Sequence, residues 1–147
     1  MSDIYPLDVS EVENTAYSIA SLSFAFNEPL PPFATRYTGK LESCLETPFQ
    51  GFGGFDPYPT LEDKATLLFY LIVKNHPFQN GNKRMAITTM TAFLVKHDKW
   101  PAINPTTLYE IAKAIAASDP KCKDSILPVL HSVIKGSLVS FSELVNK

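Results

Sequence analysis

The nine residues His76-Pro77-Phe78-Gln79-Asn80-Gly81-Asn82-Lys83-Arg84 decide how the rest of the chain is read. They place a base candidate, a metal-ligand candidate, a glycine and two cations where one helical pattern ends and another begins. The first N–H groups of a helix have no partner within it and carry the positive end of its dipole, so such a junction can hold an anion. Gly81-Asn82 lets the backbone curl around a phosphate, because glycine accepts positive φ and asparagine tolerates it. Together they would form an anion nest at the helix start, though N-G-N also serves as a plain helix start. Lys83 and Arg84 add charge and fork-shaped donors. Histidine titrates near neutrality, which suits His76 to take a proton from a hydroxyl. The chemistry favoured is handling of a nucleotide phosphate beside a histidine. On residue type alone, His76 also reads as a helix-terminal histidine paired with a carbonyl, and Lys83 and Arg84 as a solvated helix face. His97 and His131 have no comparable surroundings.

Working outward, Thr60-Leu61-Glu62-Asp63 reads as a capping box with aspartate at its last position. A helix then runs through Ala65 and Leu68 to about Asn75 and is apolar nearly all round, which predicts the central buried helix. Pro77 breaks it and fixes the turn. A second long helix starts near Asn80–Asn82 and carries Met85, Ala86, Met90, Phe93, Leu94 and Val95 to about His97. Upstream, residues 8 to about 27 have helical spacing, with Asp8 or Ser10 as cap and the proline-rich stretch Glu28 to Phe33 as stop. A short helix is expected from Lys40 to Glu46. Phe49 to Tyr58, rich in glycine and aromatics, reads as an irregular loop or small β-hairpin. Downstream, helices are expected over Thr106–Ser118 and about Asp124–Lys135. Pro128 lies inside the latter, Gly136 is its stop, and the last residues form another turn. The pattern predicts an all-α fold of six or so helices with a small hairpin near residues 50–58, in a single domain over residues 1–147.

The length of 147 residues suits one domain with a substantial core. A hydrophobic fraction of 45% and a charged fraction of 19% describe an ordinary globular chain. The formal net charge is −2 and no Lys/Arg run stands out, which argues against a nucleic-acid partner. Cys44 and Cys122 are far apart and lack zinc spacing, so they read as reduced thiols of a cytoplasmic protein. The N-terminus is acidic rather than basic, unlike a signal peptide. The most apolar run, Leu67 to Val73, is shorter than the ~18–20 residues of a membrane span, so no membrane partner is expected.

HPFQNGNKR resembles the signature of the Fic/Doc superfamily and comes nearest its Doc (death-on-curing) toxin branch. The Fic pattern is H-P-F-x-D/E-G-N-G-R-x-x-R, and the Doc pattern is H-x-F-x-D-A/G-N-K-R. Lys83 stands where Fic has its second glycine, and Ile87 where Fic has its second arginine. Both departures point to Doc. Gly39-Lys40-Leu41-Glu42-Ser43-Cys44-Leu45 resembles the family's G-L-L-E-S-A-L helix. Gly53-Gly54-Phe55-Asp56-Pro57-Tyr58-Pro59-Thr60 resembles its flap and the Y-P-T that opens the next helix. The likeness covers roughly residues 39–100.

The resemblance implies a phosphotransferase that moves a phosphate from ATP, with Mg2+, to a threonine hydroxyl of a target such as elongation factor Tu. Blocking translation in this way would make it the toxin of a toxin–antitoxin pair. His76 would be the general base. Gly81, Asn82, Lys83 and Arg84 would bind the nucleotide's phosphates, and Pro77 and Phe78 would be structural. Gly53, Gly54, Phe55 and Asp56 would form the flap, pairing with the target by its edge. Asn80 departs from the family's acid. Its amide oxygen can meet Mg2+ without the negative charge, so weaker metal binding is expected. Two other readings stand beside this one: a Fic-type AMP or nucleotidyl transferase, and an attenuated Fic/Doc-fold binding protein in which Asn80 marks decay. The inhibitory pattern S/T-x-x-x-E-G/N is nearly met by Ser10–Asn14, but the serine is one residue too near the glutamate. A separate antitoxin is therefore the expected partner. It would dock in an apolar groove involving Phe24, Phe26 and Phe33.

Overall fold

A computed structural model describes residues 3–23 and 32–146, with residues 21–23 as backbone only. Seven helices and one two-stranded sheet are built from the described residues. Helix α1 comprises Val9–Glu11, a π-helical stretch Val12–Ala16 and Tyr17–Ser23. Asp8, not Ser10, caps it. Asp8 Oδ1 accepts from the Glu11 N–H at 2.7 Å, and the Glu11 carboxylate accepts from the Asp8 N–H at 3.1 Å. The expected end of this helix and the side chains of Phe24 and Phe26 lie outside the described residues.

Helix α2 is Lys40–Glu46. Gly39 opens it at φ +87°, a left-handed conformation that a side chain would disfavour. Helix α3 is Leu61–Asn75, and the Thr60 capping box is formed as the sequence predicts. Asp63 N–H donates to Thr60 Oγ1 at 3.0 Å, and Thr60 N–H to Asp63 Oδ2 at 3.1 Å. Every residue from Lys64 to Tyr70 is buried, which makes α3 the centre of the fold. Helix α4 is Asn82–Lys96 and packs along α3 as the second half of a helical hairpin. Met85 to Leu94 of α4 are all buried. Two of the three buried threonines on this helix bond back one turn, Thr88 to Arg84 O and Thr91 to Ile87 O, while the Thr89 hydroxyl has no partner.

Helix α5 is Pro105–Ala117, α6 Lys123–Ser137 and α7 Phe141–Val145. Gly136 does not stop α6; the helix continues through it to Ser137. What ends α6 is a strand. β2 (Leu138–Ser140) pairs antiparallel with β1 (Lys99–Pro101), with Trp100 opposite Val139. Asp98 stitches this ribbon to α7, its carboxylate accepting from the Ser142 N–H at 2.7 Å and the Ser142 hydroxyl at 3.0 Å. The expected hairpin near residue 50 is present in reduced form, as a single bridge between Phe52 and Phe55. No helix among the described residues is long and apolar enough to cross a membrane.

Candidate functional site

The six residues between α3 and α4 form a loop bracketed by two left-handed residues. His76 caps the C-terminus of α3 at φ 50°, ψ 64°, and Gly81 caps the N-terminus of α4 at φ 72°, ψ 17°. Pro77 denies His76 a helical conformation, so the chain turns there. For a residue with a Cβ this left-handed geometry is costly. It persists where the surroundings over-determine it, as they do at functional sites.

Those surroundings are visible. Asn82 closes the loop on itself: Phe78 N–H donates to Asn82 Oδ1, and Asn82 Nδ2 donates to the Phe78 carbonyl, each at 2.9 Å. The Phe78 side chain is buried in the core, and Pro77 is buried beside it. Tyr37 N–H donates to the Pro77 carbonyl at 2.8 Å and so ties the segment before α2 to the loop. Phe33 packs on Phe78 with ring centroids 6.2 Å apart, and Tyr17 meets Phe33 edge-on at 5.6 Å. Phe33, expected in an open groove, is thus partly buried against the core. Burial pushes the Tyr17 hydroxyl up to about 12, with the Glu13 charge adding to the rise and the Arg36 charge opposing it.

The loop therefore presents its outward groups on a stiff frame. His76, Gln79 and Asn80 are exposed, while Gly81 and Asn82 are buried. The Asn82 side chain is spent on the loop, so only its backbone N–H can serve an anion. Lys83 and Arg84 are half-buried in the first turn of α4. Arg84 Nη2 also donates to the Ala20 carbonyl at 2.7 Å, which ties the guanidinium to α1. His76 borders a cleft of about 490 Å³ shared with Gly39, Lys40, Ser43, Lys74 and Asn75. Lys74 is committed there, donating to the Ile115 and Ser118 carbonyls and so capping α5.

Magnesium finds little in the chain itself. Asn80 offers one neutral oxygen, and no cluster of three His, Cys, Asp or Glu that could hold a metal exists among the described residues. That donor set does not fit a protein-held Mg2+.

The hairpin is anchored near the start of α3 rather than at its end. Gly53 and Gly54, at φ 58° and 78°, make a two-residue turn of the kind that suits strand twist. Phe52 and Phe55 flank it, 71% and 58% exposed, with rings 5.6 Å apart. Asp56 anchors it. The Asp56 carboxylate meets Lys64 at 2.9 Å and accepts from the Tyr58 N–H, also at 2.9 Å. Lys64 lies in the first turns of α3 and His76 just past its end, about 18 Å apart along the axis at ~1.5 Å per residue. The structure thus brings His76, Gly81, Asn82, Lys83 and Arg84 together, with Asn80 at their edge. Of the flap residues Gly53, Gly54, Phe55 and Asp56, Asp56 is held by Lys64, in the first turns of the helix.

Two residues of consequence escaped the sequence reading. Lys64, only 4% exposed, donates to the carbonyls of Pro48 and Tyr58 as well as to Asp56, and lies 4.8 Å from the Phe49 ring centroid. Its spacing with Leu68 and Ile72 places it on the buried stripe of α3, a signal that was there to be read. Arg36 has no such signal, since its position depends on a contact with a loop forty residues on.

A sequence profile of the Fic/DOC family matches residues 8–94, from α1 into α4. Over 56 residues the chain is 38% identical to the protein named Toxin Doc of Mycolicibacterium smegmatis, an alignment covering 38% of this chain and 43% of that protein. The chain thus matches less than half the length of that curated relative. No solved structure matches at a significant level.

Proposed function

The chain belongs to the Fic/DOC family, and from that footing we propose that it is a phosphotransferase of the Doc kind, acting on a hydroxyl of a protein target. The observation that carries the proposal is the left-handed bracket. An exposed His76 and the N-terminus of α4 with Lys83 and Arg84 are held five residues apart by the Asn82–Phe78 clamp. An anion at the helix start and a hydroxyl at the histidine are thereby neighbours.

In the proposed reaction the nucleotide's phosphates sit at the first N–H groups of α4 and against Lys83 and Arg84. His76 accepts the proton of a serine or threonine hydroxyl. The hydroxyl oxygen bonds to the γ-phosphorus, the bond from that phosphorus to the β–γ bridging oxygen breaks, and ADP leaves. Lys83 adds a side chain where a Fic-type nest is open, which favours transfer of the terminal phosphate over AMP. Mg2+ belongs here to the ATP substrate. The similarity to a protein named Toxin Doc supports a toxin role with a cognate antitoxin as partner; the target proposed for it is a translation factor.

A transfer assay on cell lysate tests this, using ATP labelled at the γ- or the α-phosphate and His76→Ala as blank. Protein labelled from γ alone is the expected result. Label from α means nucleotidyl transfer and overturns the reading of Lys83. Label from neither favours the attenuated protein, and Asn80→Asp should then restore transfer. Asn80 is exposed, so that change should alter stability by no more than about 0.5 kcal/mol.

A further inference from the structure

Arg36 lies beside the motif loop, and no carboxylate among the described residues pairs with its charge. Its neighbour Tyr37 is bonded to the Pro77 carbonyl, which brings the segment to the loop. The Arg36 guanidinium lies over the Phe33 ring, 4.5 Å from its centroid, and Phe33 in turn packs on Phe78. Arg36 Nη1 makes one long hydrogen bond, 3.5 Å, to the Phe33 carbonyl. Arg36 Nε is buried and has no acceptor. None of the ion pairs among the described residues involves Arg36.

A guanidinium carries five donors and does not lose its proton, so this group keeps both charge and unused hydrogen-bonding capacity. Buried donors are nearly always met, and one that is not calls for a ligand or another explanation. The cation–π contact with Phe33 holds the group in place, and an arginine so held can grip a phosphate with two donors. Arg84 approaches the same region from α4. It bonds Ala20, one turn beyond Tyr17, and Tyr17 packs on the Phe33 ring that carries Arg36. Meanwhile Ile87, where the Fic pattern has its second arginine, is fully buried, so that position presents no cation at all.

We propose that Arg36 supplies the second guanidinium of the anion site, binding a phosphate of the nucleotide from the segment before α2 opposite Arg84. The ligand chemistry is a polyphosphate. This assignment rests on the phosphotransfer reading for its substrate but not for its binding.

The test is titration of the full chain with ATP, inorganic tripolyphosphate and adenosine, comparing the parent with Arg36→Met and Arg36→Lys. Unliganded melting temperatures and the ATP concentration dependence of transfer are measured alongside. Arg36→Met should bind ATP and tripolyphosphate at least tenfold more weakly. The KM for ATP should rise more than kcat falls, and adenosine binding and the unliganded melting temperature should stay unchanged. Arg36→Lys should lie between, keeping charge without the fork. A strut for Phe33 would behave oppositely, with a lower melting temperature and unchanged affinity, and that result overturns the proposal. If Arg36→Met does not fold, unchanged tripolyphosphate affinity in Arg36→Lys overturns it. A parent that binds tripolyphosphate with the predicted Arg36 dependence but transfers nothing removes the phosphotransfer reading and leaves Arg36 as an anion ligand. A parent that binds no polyphosphate overturns both.

Discussion

Asn82 holds Phe78 by both of its backbone groups, accepting from the N–H and donating to the carbonyl at 2.9 Å each. Both residues are buried, so water cannot replace either bond. Asn82→Ala should lower the unfolding free energy by about 2–4 kcal/mol, since each stranded buried group costs ~1–3 kcal/mol. Asn82→Asp should be as damaging at neutral pH, because a carboxylate oxygen then faces the Phe78 carbonyl. It should recover in part at acidic pH, where a protonated carboxyl can donate again. Urea unfolding at pH 7 and pH 5 checks both statements. A neutral Asn82→Ala would mean that the loop is held by Phe78 packing alone.

Lys64 should govern the hairpin rather than the motif loop. Lys64→Met strands the Pro48 and Tyr58 carbonyls and releases Asp56, so the fold should lose about 1–3 kcal/mol. The Phe52 and Phe55 amides, which bond each other's carbonyls across the turn, should exchange faster with solvent while those of α4 keep their protection. Gly51→Ala should do the same by a different route, because a Cβ there would sit 2.6 Å from the Phe55 carbonyl oxygen. Hydrogen exchange read residue by residue checks this. Unchanged protection at Phe55 in both variants would show that Lys64 does not anchor the hairpin.

Acid should loosen two places before the core. The Ser142 N–H and hydroxyl hold the Asp98 carboxyl below its ordinary value, and the Lys64 ammonium does the same for Asp56. A carboxyl lowered in the folded state contributes stability that is whole above its unfolded value, about 3.9. That contribution is lost as pH falls through the folded value. Stability should therefore fall below about pH 4. The fall should be shallower in Asp98→Asn, which keeps an acceptor but cannot titrate. Urea midpoints from pH 2.5 to pH 7 for the two proteins make the comparison. Parallel curves would remove Asp98 from the account.

The two thiols should differ sharply. Cys44 is buried, and that burial pushes its thiol up to about 11, against smaller opposing effects of Asn75 and Lys40. Cys122 is exposed. A thiolate is the reactive form, so a disulfide reagent at pH 8 should titrate one thiol in the native protein and two in urea. Cys122→Ser should leave none that reacts without denaturant. Fast reaction of both in the native state would contradict the packing of Cys44 under α3.

Most of the helical frame was legible because its signals are local. The Thr60–Asp63 and Asp8–Glu11 boxes act over three residues, and Pro77 ends α3 through its own ring. The apolar run from Ala65 to Val73 implies burial by itself, and α2 was bounded correctly from Lys40 to Glu46. The junction of His76 and the start of α4 could likewise be placed from nine consecutive residues. Gly136 misled because a glycine marks a helix end only when the chain has somewhere else to go. Here α6 continues to Ser137, and β2 takes over by pairing with β1.

What tertiary structure alone decided involves partners distant in sequence. The pairing of Trp100 with Val139 is a choice among many possible registers, made by the helices that carry the strands. Lys64 reaches back sixteen residues to Pro48. Tyr37 meets Pro77 across forty, and with it Arg36 comes to the loop. Asp56 is anchored at Lys64, about 18 Å along α3 from His76 at ~1.5 Å per residue, because α3 is one uninterrupted rod, a distance invisible in a string where Asp56 and His76 are twenty residues apart. Local sequence sets which backbone conformations are cheap. Which distant groups then meet is set by how the buried faces of α3 and α4 pack, and that depends on the whole chain at once.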